Sequence, residues 1–408
     1  MREADFRAGY PGRLVGTDAL VRRVRNGVPE QVAERGVAFV PNPLPPKLDW
    51  ERMIGRVSGA LLGAERNLAR LDAAASRLPS PHLLLRPLML REAQESSKIE
   101  NTIATLEEVV LQEAGVHFDR PDPEEVGNYI HALDHGLASR YPIGKQLTTE
   151  MHKLLMQGVR GADKTPGQYR RVQNMIGRDG DSPITARFVP PPPGPDVEEL
   201  MRQLFEFLER DPDEIPVLMR AALAHYQFEA IHPFLDGNGR LGRLLVTLVL
   251  CRSKLLSQPS VYVSGYFEER RSEYYNRLLA VSQRGEWEEW LVFFLNAVAV
   301  QALDAQKRVD ALFALRERYG AAFTQKRTSA LMRGLIDHLF HGPAVTVQDV
   351  CRVLRVTDTA GRKYVRSLVE KGVLAGPVRN THPQRFIARE ILQTAEGRLG
   401  TGGTKRSV

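Results

Sequence analysis

The stretch HPFLDGNGRLGR, residues 232–243, is the most informative segment of the 408-residue chain. His232 can accept a proton, and Asp236 can bind a hard metal ion such as Mg²⁺. The Gly-Asn-Gly turn at 237–239 can direct backbone N–H groups towards an anion, and two arginines that follow can bind further phosphate oxygens. A base, a metal ligand, an anion-binding turn and two cations together predict phosphoryl-type transfer from a nucleotide.

The local conformation of this stretch should expose its reactive groups. A residue before proline avoids the α region, so His232 is expected at a corner between a helix and a loop. Phe234 is the expected buried anchor of that loop. A new helix is predicted directly after the turn, where its free N–H groups and its dipole favour an anion. Arg240 and Arg243 are three residues apart and should share one face of its first turn. Each feature is common alone, but their conjunction at this spacing favours a phosphate site.

The composition is that of a globular protein without a membrane span. Hydrophobic residues make up 43% and charged residues 26% of the chain, and the length suggests two or three domains. No run of about 18 apolar residues is present, and the first residues lack the pattern of a signal peptide. The only cysteines, Cys251 and Cys351, are expected to be reduced. These features predict a cytoplasmic protein with no membrane partner.

The net charge of +7 is distributed unevenly. Residues 321–408 contain 15 Lys and Arg against 6 Asp and Glu, which is +9, so the remaining residues carry −2. The basic character therefore belongs to the C-terminal segment. This asymmetry favours an acidic partner there, such as nucleic acid, although a solvated basic face explains it equally well.

From Trp50 onward, apolar residues recur at the three- and four-residue spacing of amphipathic helices. We expect one long pattern, 83–114, to break at Pro87 and near Asn101, and we expect Thr148 or Thr149 to cap another helix. Residues 1–48 show only short apolar runs among Pro, Gly and Arg. Helices are predicted over 53–72, 83–114, 124–138, 147–159, 197–211, 215–232, 240–255, 270–283 and 288–320.

Two segments depart from the plain helical pattern. Residues 163–193 have turn formers at both ends and a short β-like run, which predicts a hairpin-like flap. From Thr328, three short helices and a strand-like segment at 375–388 have the layout of a winged helix-turn-helix. Thr357 or Thr359 would cap its recognition helix, whose exposed face would carry Arg362, Lys363 and Arg366. DNA is thus a predicted partner of this segment.

The chain is therefore predicted to be mainly α, with four parts. The predicted parts are an N-terminal region over 1–120, a catalytic domain over 121–310, a winged helix-turn-helix domain over 325–395 and a disordered tail over 396–408.

The central stretch resembles the signature of Fic-domain proteins, His-x-Phe-x-Asp/Glu-Gly-Asn-Gly-Arg-x-x-Arg, at every fixed position. TPGQYRRVQNMIG (165–177) resembles the family's flap hairpin, which holds the target segment over the site. RSEYYNRL (271–278) resembles its adenine-side helix, and PNPLPPKLDW (41–50) resembles the N-terminal region of bacterial members. The resemblance covers about residues 37–300 and implies a helical Fic core with a β-hairpin flap.

The resemblance implies that the protein transfers AMP from ATP to a Ser, Thr or Tyr hydroxyl of a protein target. His232 would be the general base, and Asp236 would hold Mg²⁺. The amides of Gly237 to Gly239 and the Asn238 side chain would form the anion hole, Arg243 would hold the γ-phosphate and Arg240 would support the site. The residues implied to contact the nucleotide are Glu100, Asn174, Met175, Ile176, Gly177, Gly237, Asn238, Gly239, Arg240, Leu241, Gly242, Arg243, Tyr274 and Tyr275.

A second match concerns control of the activity. SSKIEN, residues 96–101, resembles the family's inhibitory motif Ser/Thr-x-x-x-Glu-Gly/Asn. Ser96 and Glu100 are four residues apart and therefore share one helical face, and Asn101 completes the motif. The resemblance implies that Glu100 pairs with Arg243 in place of the γ-phosphate, so that the inhibitory helix and the active site lie in one chain.

Other functions remain open at this stage. The chain could be a transcription regulator that binds DNA through its C-terminal domain and uses the Fic domain as a nucleotide sensor. The same site could remove AMP, with Glu100 positioning water, or could transfer another nucleotide or a phosphate. A homodimer also stays open. The presence of His232 favours catalysis over sensing, because a sensor needs no base.

Overall fold

The structure is a computed structural model. It describes residues 1–25, 28–76, 81–161, 163–178, 181–210, 215–323, 326–379 and 381–397. The predicted disordered tail, 396–408, lies outside the described residues from position 398 onward.

The chain begins with a long antiparallel hairpin that the sequence did not predict. Strand β1 (Gly12–Arg25) pairs with β2 (Val28–Pro41). One face of the hairpin covers the segment predicted as the flap, where the Thr17 hydroxyl donates to Gln173 Oε1 at 2.7 Å. The hairpin escaped prediction because its strands carry Gly and charged residues and alternate poorly in hydropathy.

The rest of the fold is mainly α, as predicted. A capping box starts the helix that follows Thr105, because the Thr105 side chain accepts from the Glu108 N–H and Glu108 accepts from Thr105. The helices that build and surround the core are α1 (Trp50–Ser76), α2 (Pro81–Ile99), α3 (Leu106–Glu113), α4 (Asp122–Ala138), α5 (Lys145–Leu155), α6 (Pro195–Glu209), α7 (Val217–Ile231), α8 (Asn238–Arg252), α9 (Ser264–Glu269), α10 (Arg271–Arg284) and α11 (Trp287–Ala321).

Helices α7 and α8 form the centre of the core. Nearly all of their side chains are buried, including the polar side chains His225 and Arg243. The Trp290 indole of α11 donates to the Ala222 carbonyl of α7 at 3.0 Å, which fixes these two helices together. The loop 232–237 joins α7 to α8, so the core holds both ends of this loop. Among the described residues, no helix is long and apolar enough to cross a membrane.

Two details of the helix prediction are corrected. Pro87 lies inside α2 and does not end it, whereas the break expected near Asn101 is present. Helix α5 begins at Lys145 with Gly144 as its N-cap, so Thr148 does not cap it. Its hydroxyl instead donates back to the Gly144 carbonyl at 2.9 Å. The predicted domain boundary at 310 falls within α11, which continues to Ala321.

The C-terminal segment is a small group of helices with a two-residue strand pair. This segment contacts the N-terminal helices. Arg389 makes a bidentate contact with Glu107 at 2.8 and 3.0 Å, and Arg385 donates to the Ala114 carbonyl. The elements are α12 (Lys326–His341), β3 (Ala344–Val345), α13 (Val347–Leu354), α14 (Asp358–Glu370), β4 (Phe386–Ile387) and α15 (Arg389–Glu396).

Candidate active site

His232 lies at the end of α7, as its position before proline predicts. Its backbone is in the left-handed region (φ 51°, ψ 61°), which turns the chain sharply out of the helix. The ring atom Nδ1 lies 3.3 Å from the Glu229 carbonyl oxygen. Because a carbonyl can only accept, Nδ1 carries the proton and Nε2 keeps its lone pair. The tautomer therefore leaves Nε2 available as a base.

The surroundings of His232 keep its ring neutral. Burial, and then the nearby positive charge of Arg170, lower its pKa to about 4. The ring is consequently unprotonated at neutral pH, which is the state a general base requires.

The loop after His232 is braced from within. Phe234 is fully buried and stacks on the His152 ring, with 3.8 Å between the ring centroids. The Asn238 side chain accepts from the Phe234 N–H at 2.9 Å and donates to the Phe234 carbonyl at 2.8 Å. These bonds use Oδ1 and one of the two Nδ2 hydrogens of Asn238 to close the loop, and its role in the anion hole stays a prediction.

Two bracing residues were missed by the sequence analysis, Arg170 and His152. Arg170 is 1% exposed, and its Nε donates to the His232 carbonyl at 2.9 Å. His152 donates from Nε2 to the Asp236 carbonyl at 2.9 Å and accepts from the Gly167 N–H at 2.8 Å. A signal existed for His152, which falls on the buried stripe of α5. No sequence signal distinguished Arg170, because the adjacent Arg171 has the same side chain. Arg170 is buried, whereas Arg171 is exposed.

The N-terminus of α8 presents unpaired amides to the site. Gly237 adopts φ 75°, and the first intrahelical bond runs from the Leu241 N–H to the Gly237 carbonyl at 3.0 Å. The amides of residues 238–240 precede that bond and have no acceptor within the helix. Such an N-terminus favours a phosphate or a carboxylate.

The Asp236 carboxylate lies beside this N-terminus and is surrounded by positive charge. Its Oδ1 accepts from the Gly237 N–H at 2.7 Å, its Oδ2 lies 3.0 Å from Lys164 Nζ, and Arg240 is 3.6 Å away. Burial alone would raise the pKa of Asp236, but the hydrogen bond and charge of Lys164 and the charge of Arg240 lower it overall. The group is therefore an ionised, partly exposed oxygen ligand.

This donor set fits Mg²⁺ bound together with phosphates. Within the described ranges, no cluster of three His, Cys, Asp or Glu side chains could hold a metal by itself. Mg²⁺ is commonly bound by one or two carboxylates while the remaining ligands come from substrate phosphates and water. Asp236 would supply that carboxylate.

Arg243 is buried and is held by the predicted inhibitory motif. Its Nε donates to the Ser96 hydroxyl at 2.8 Å, and its Nη2 donates to the Ser96 carbonyl and to Glu100 Oε1, both at 2.9 Å. Burial alone would lower the pKa of Arg243, but the Glu100 carboxylate raises it above its ordinary value. Glu100 Oε1 also lies where a Cβ on Gly239 would stand, so it contacts the N-terminal turn of α8.

The turn that follows α2 is fixed at several points. Asn101 adopts a left-handed backbone (φ 64°) and accepts from Arg271 of α10 at 3.0 Å. Lys98 pairs with Glu268 of α9 at 3.1 Å. The hydroxyl of Thr102, the residue after Asn101, donates to Glu125 of α4. Ser96, Glu100 and Asn101 are thus all placed against other helices of the site.

Arg240 and Arg243 contact different partners, although their spacing predicts a shared face. Arg240 is 3% exposed and lies 3.8 Å from Glu125 of α4 and 3.6 Å from Asp236. Its Nε and Nη1 make no hydrogen bond to any described residue. Arg240 therefore lies beside the Asp236 carboxylate, whereas Arg243 lies beside Glu100.

The flap is connected to the catalytic loop. The Asn174 side chain donates to the Phe234 carbonyl at 3.3 Å and accepts from the Met175 N–H at 3.0 Å. Ile176 and Phe188 form an antiparallel bridge, so the predicted hairpin-like flap is present with one bridge and no regular strand. Gly177 leaves room for Asp181, against which a Cβ would collide. The flap turn at 179–180 lies outside the described residues.

Three residues expected to contact the nucleotide are placed in the core. Tyr274 is 1% exposed and its hydroxyl bonds to His225 Nε2 at 2.9 Å, so of the two tyrosines only Tyr275 is partly exposed. Leu241 is fully buried, and Gly242 lies against Glu229 and Phe228 of α7. Leu241 is therefore part of the hydrophobic core, and Gly242 allows α8 to lie close to α7.

Comparison with known sequences identifies the central part of the chain. Residues 142–250 match the sequence model described as Fic/DOC family, and residues 59–138 match the one described as Fic/DOC family N-terminal. The chain carries a Fic domain. A solved structure of Fic-1 from C. elegans supports the fold, with a TM-score of 0.50 and 23% identity over 65% of this chain and 76% of that one.

Relatives of this Fic domain include proteins named as adenylyltransferases. Protein adenylyltransferase Fic of Drosophila grimshawi is 31% identical over 169 residues, which are 41% of this chain and 30% of that protein. A probable protein adenylyltransferase of Aquifex aeolicus is 27% identical over 243 residues, which are 57% of this chain and 65% of that protein. The match thus spans less than two thirds of either relative.

Proposed function

We propose that the protein transfers AMP from ATP to a hydroxyl group of a protein target and that Glu100 inhibits this reaction. The observation that carries the proposal is the neutral His232 ring with a free Nε2 next to an α8 N-terminus bordered by Asp236 and Arg243. A base, an anion site and a buried cation are thereby available to one substrate. The adenylyltransferase names of the relatives agree with this chemistry.

In the proposed reaction, His232 Nε2 takes the proton of the target hydroxyl as its oxygen attacks the α-phosphorus. The bond from that phosphorus to the bridging oxygen breaks, and pyrophosphate leaves. The amides of residues 238–240 stabilise the negative charge on the α-phosphate, and Arg243 holds the γ-phosphate. Mg²⁺, held by Asp236, would neutralise phosphate charge when bound. Arg170 and His152 keep the loop in place by bonding to its carbonyls.

The proposed inhibition follows from the occupancy of Arg243. Its Nη2 is already bonded to Glu100, and the same carboxylate lies against Gly239 at the α8 N-terminus. A γ-phosphate and the Glu100 carboxylate are both anions, so they would repel each other and compete for one guanidinium. ATP would then bind with its phosphates displaced from the attacking hydroxyl.

The test of the proposed function is the fate of labelled ATP. The Glu100→Gly variant is incubated with Mg²⁺ and ATP labelled at the α- or the γ-phosphate, and protein-bound label is measured. Transfer of AMP retains the α-label and releases the γ-label, whereas transfer of phosphate gives the reverse. Incorporation of γ-label, or of neither label, would overturn the proposal. If an AMPylated sample instead lost its α-label, removal of AMP would be the main activity.

We expect the pH dependence to report His232. The kcat/KM of the Glu100→Gly variant should be level from pH 8 to about 6 and fall only in more acidic solution. Burial lowers the pKa of His232 to about 4, so the base is protonated, and activity lost, only as the pH falls through that value. The check is a pH-rate profile with circular dichroism at each pH to confirm folding. A midpoint at or above the ordinary histidine pKa would contradict the expectation.

A second function, DNA binding, is favoured by the exposed face of the C-terminal helices. We propose that α14 and the segment after it contact the phosphates of duplex DNA. Arg362 and Lys363 are exposed on α14, as predicted, and so is Arg366. Arg362 is paired with Asp358, but Lys363 and Arg366 have no carboxylate partner in the part of the chain that is described. Such cations are suited to phosphates.

The strand pair of this domain restricts how DNA could bind. Arg385 and Arg389, at its base, are already bonded to Ala114 and Glu107. They are therefore not free to reach a groove, which leaves α14 and the exposed Arg379 as the proposed contacts.

Substitution of both Lys363 and Arg366 by Ala should weaken duplex binding and make it less dependent on salt. Each lost phosphate contact lowers the slope of log K against log salt by about 1, so the pair should lower it by about 2. Fluorescence anisotropy with a 30-base-pair duplex measures this slope. The matched control replaces Lys145 and Lys153, which are exposed on α5. Equal slopes for both double variants would reject binding through α14.

A further inference from the structure

Lys164 contacts Asp236 of the catalytic loop but has no part in the proposed reaction. Its ammonium Nζ lies 3.0 Å from Asp236 Oδ2, with 46% of the lysine side chain and 31% of the aspartate side chain exposed. The contacted oxygen belongs to the carboxylate that would hold Mg²⁺. A protein cation therefore occupies one of the two oxygens through which Asp236 could bind a metal.

The loop that carries Lys164 is shaped around this carboxylate. Its backbone turns back through a hydrogen bond from the Lys164 N–H to the Gly161 carbonyl at 2.9 Å. Thr165, the next residue, has a left-handed backbone (φ 50°), and Gly161 itself has φ 88°. A Cβ at Gly161 would lie 3.0 Å from Asp236 Oδ2, so the absence of a side chain there allows the close approach. The contact is thus part of a folded turn.

The remaining partners of Asp236 do not occupy the same oxygen. Its Oδ1 accepts from the Gly237 amide and faces Arg240 at 3.6 Å, whereas Lys164 contacts Oδ2. Lys164 is also the more exposed of the two cations, since Arg240 is 3% exposed. It can leave the carboxylate without disturbing the core, and Arg240 cannot.

We propose that Lys164 is a resident counter-ion of Asp236 that exchanges with the divalent metal. Without metal, it neutralises the carboxylate and so permits phosphates to approach the α8 N-terminus. When a metal ion binds Oδ2 of Asp236, Lys164 moves away, because two cations at contact distance from one oxygen repel each other. The lysine therefore makes nucleotide binding less dependent on metal. This inference rests on the proposed metal role of Asp236.

The test compares ADP affinity with and without Mg²⁺. ADP is chosen because it lacks the γ-phosphate that Glu100 would oppose, and it cannot donate AMP with loss of pyrophosphate. Calorimetry gives the Kd for ADP in EDTA and in 5 mM Mg²⁺, and the ratio of the two values is the metal enhancement. In Lys164→Met, the charge of Asp236 is no longer neutralised, so ADP should bind more weakly in EDTA. Mg²⁺ should then bind Asp236 without competition from a lysine. The enhancement should therefore exceed that of the natural protein by about three- to tenfold.

Matched variants separate charge from loop packing. Lys164→Arg keeps the charge and should retain the enhancement of the natural protein. Lys153→Met removes an exposed lysine of α5 and should also leave the enhancement unchanged. An unchanged enhancement in Lys164→Met, or an equal rise in Lys153→Met, would overturn the inference.

The proposed metal site is tested separately in the same measurements. Asp236→Asn should reduce the enhancement to about one, because the carboxylate is lost. If the natural protein shows no enhancement, or if Asp236→Asn leaves it intact, the metal role of Asp236 fails. If Asp236→Asn abolishes the enhancement and Lys164→Met does not alter it, only the inference about Lys164 fails.

Discussion

Replacing Glu100 by Gly should raise the rate of AMP transfer by about 10- to 100-fold. The substitution removes the carboxylate bonded to Arg243 at 2.9 Å and clears the space against Gly239. A hydrogen bond between charged groups contributes about 1.5–3 kcal/mol, and each 1.4 kcal/mol is a factor of ten in an equilibrium. Arg243 keeps its bonds to Ser96, so its position should be preserved while its free donor becomes available to the γ-phosphate.

The measurement is the initial rate of incorporation of α-labelled AMP into the protein itself. Glu100→Gln is an informative second variant, because it removes the charge while keeping the shape, and it should give an intermediate rate. Glu95→Gln is the matched control on the same helix, since Glu95 faces Lys98 at 3.9 Å and does not contact Arg243. If Glu100→Gly and Glu95→Gln gave the same rate as the natural protein, Glu100 would not be an inhibitor.

Replacing His232 by Ala in the Glu100→Gly protein should lower the rate of AMP transfer by about 10²–10⁴-fold. The ring provides the available Nε2, whereas the amides of residues 238–240 and Arg243 are unaffected by the substitution. Nucleotide affinity should therefore remain within about twofold, because the change removes proton transfer and no phosphate contact. Rates and ADP affinity would be measured on the same preparations.

His135→Ala supplies the control for this variant. His135 lies on α4, is partly exposed and bonds to Glu150 at 3.0 Å, far along the chain from the catalytic loop. It should leave the rate unchanged. If His232→Ala retained full activity, the ring would not be the base. If the Glu100→Gly protein bound nucleotide but transferred no AMP, a nucleotide sensor without catalysis would become the better account of the Fic domain.

Much of the fold could be predicted because its helices have recognisable local sequence patterns. Apolar residues at three- and four-residue spacing identified α1, α7, α8 and α11. The end of α7 at His232 followed from the proline after it, and the break after α2 was expected near Asn101. The β1–β2 hairpin was missed because its strands pair with each other along their whole length but alternate poorly in hydropathy.

The candidate site was predicted less completely, and the errors share a cause. Tyr274 and Leu241 lie within motifs whose positions were found correctly, but their side chains fill the core. Whether a side chain faces a ligand or a neighbouring helix depends on packing between distant segments. Spacing within one motif does not contain that information.

The residue order by itself determined that a base, a carboxylate, free amides and two arginines follow one another around a helix start. Proline, glycine and the spacing of residues along a helix affect only the few residues around them, so the sequence is enough to predict this arrangement. The tertiary structure alone decided which charges meet. Glu100 reaches Arg243, Lys164 reaches Asp236, and Arg170 supports His232, each across many intervening residues. Ion pairs and buried hydrogen bonds depend on distance in space, and the packing of α2 and the flap onto α7 and α8 sets that distance.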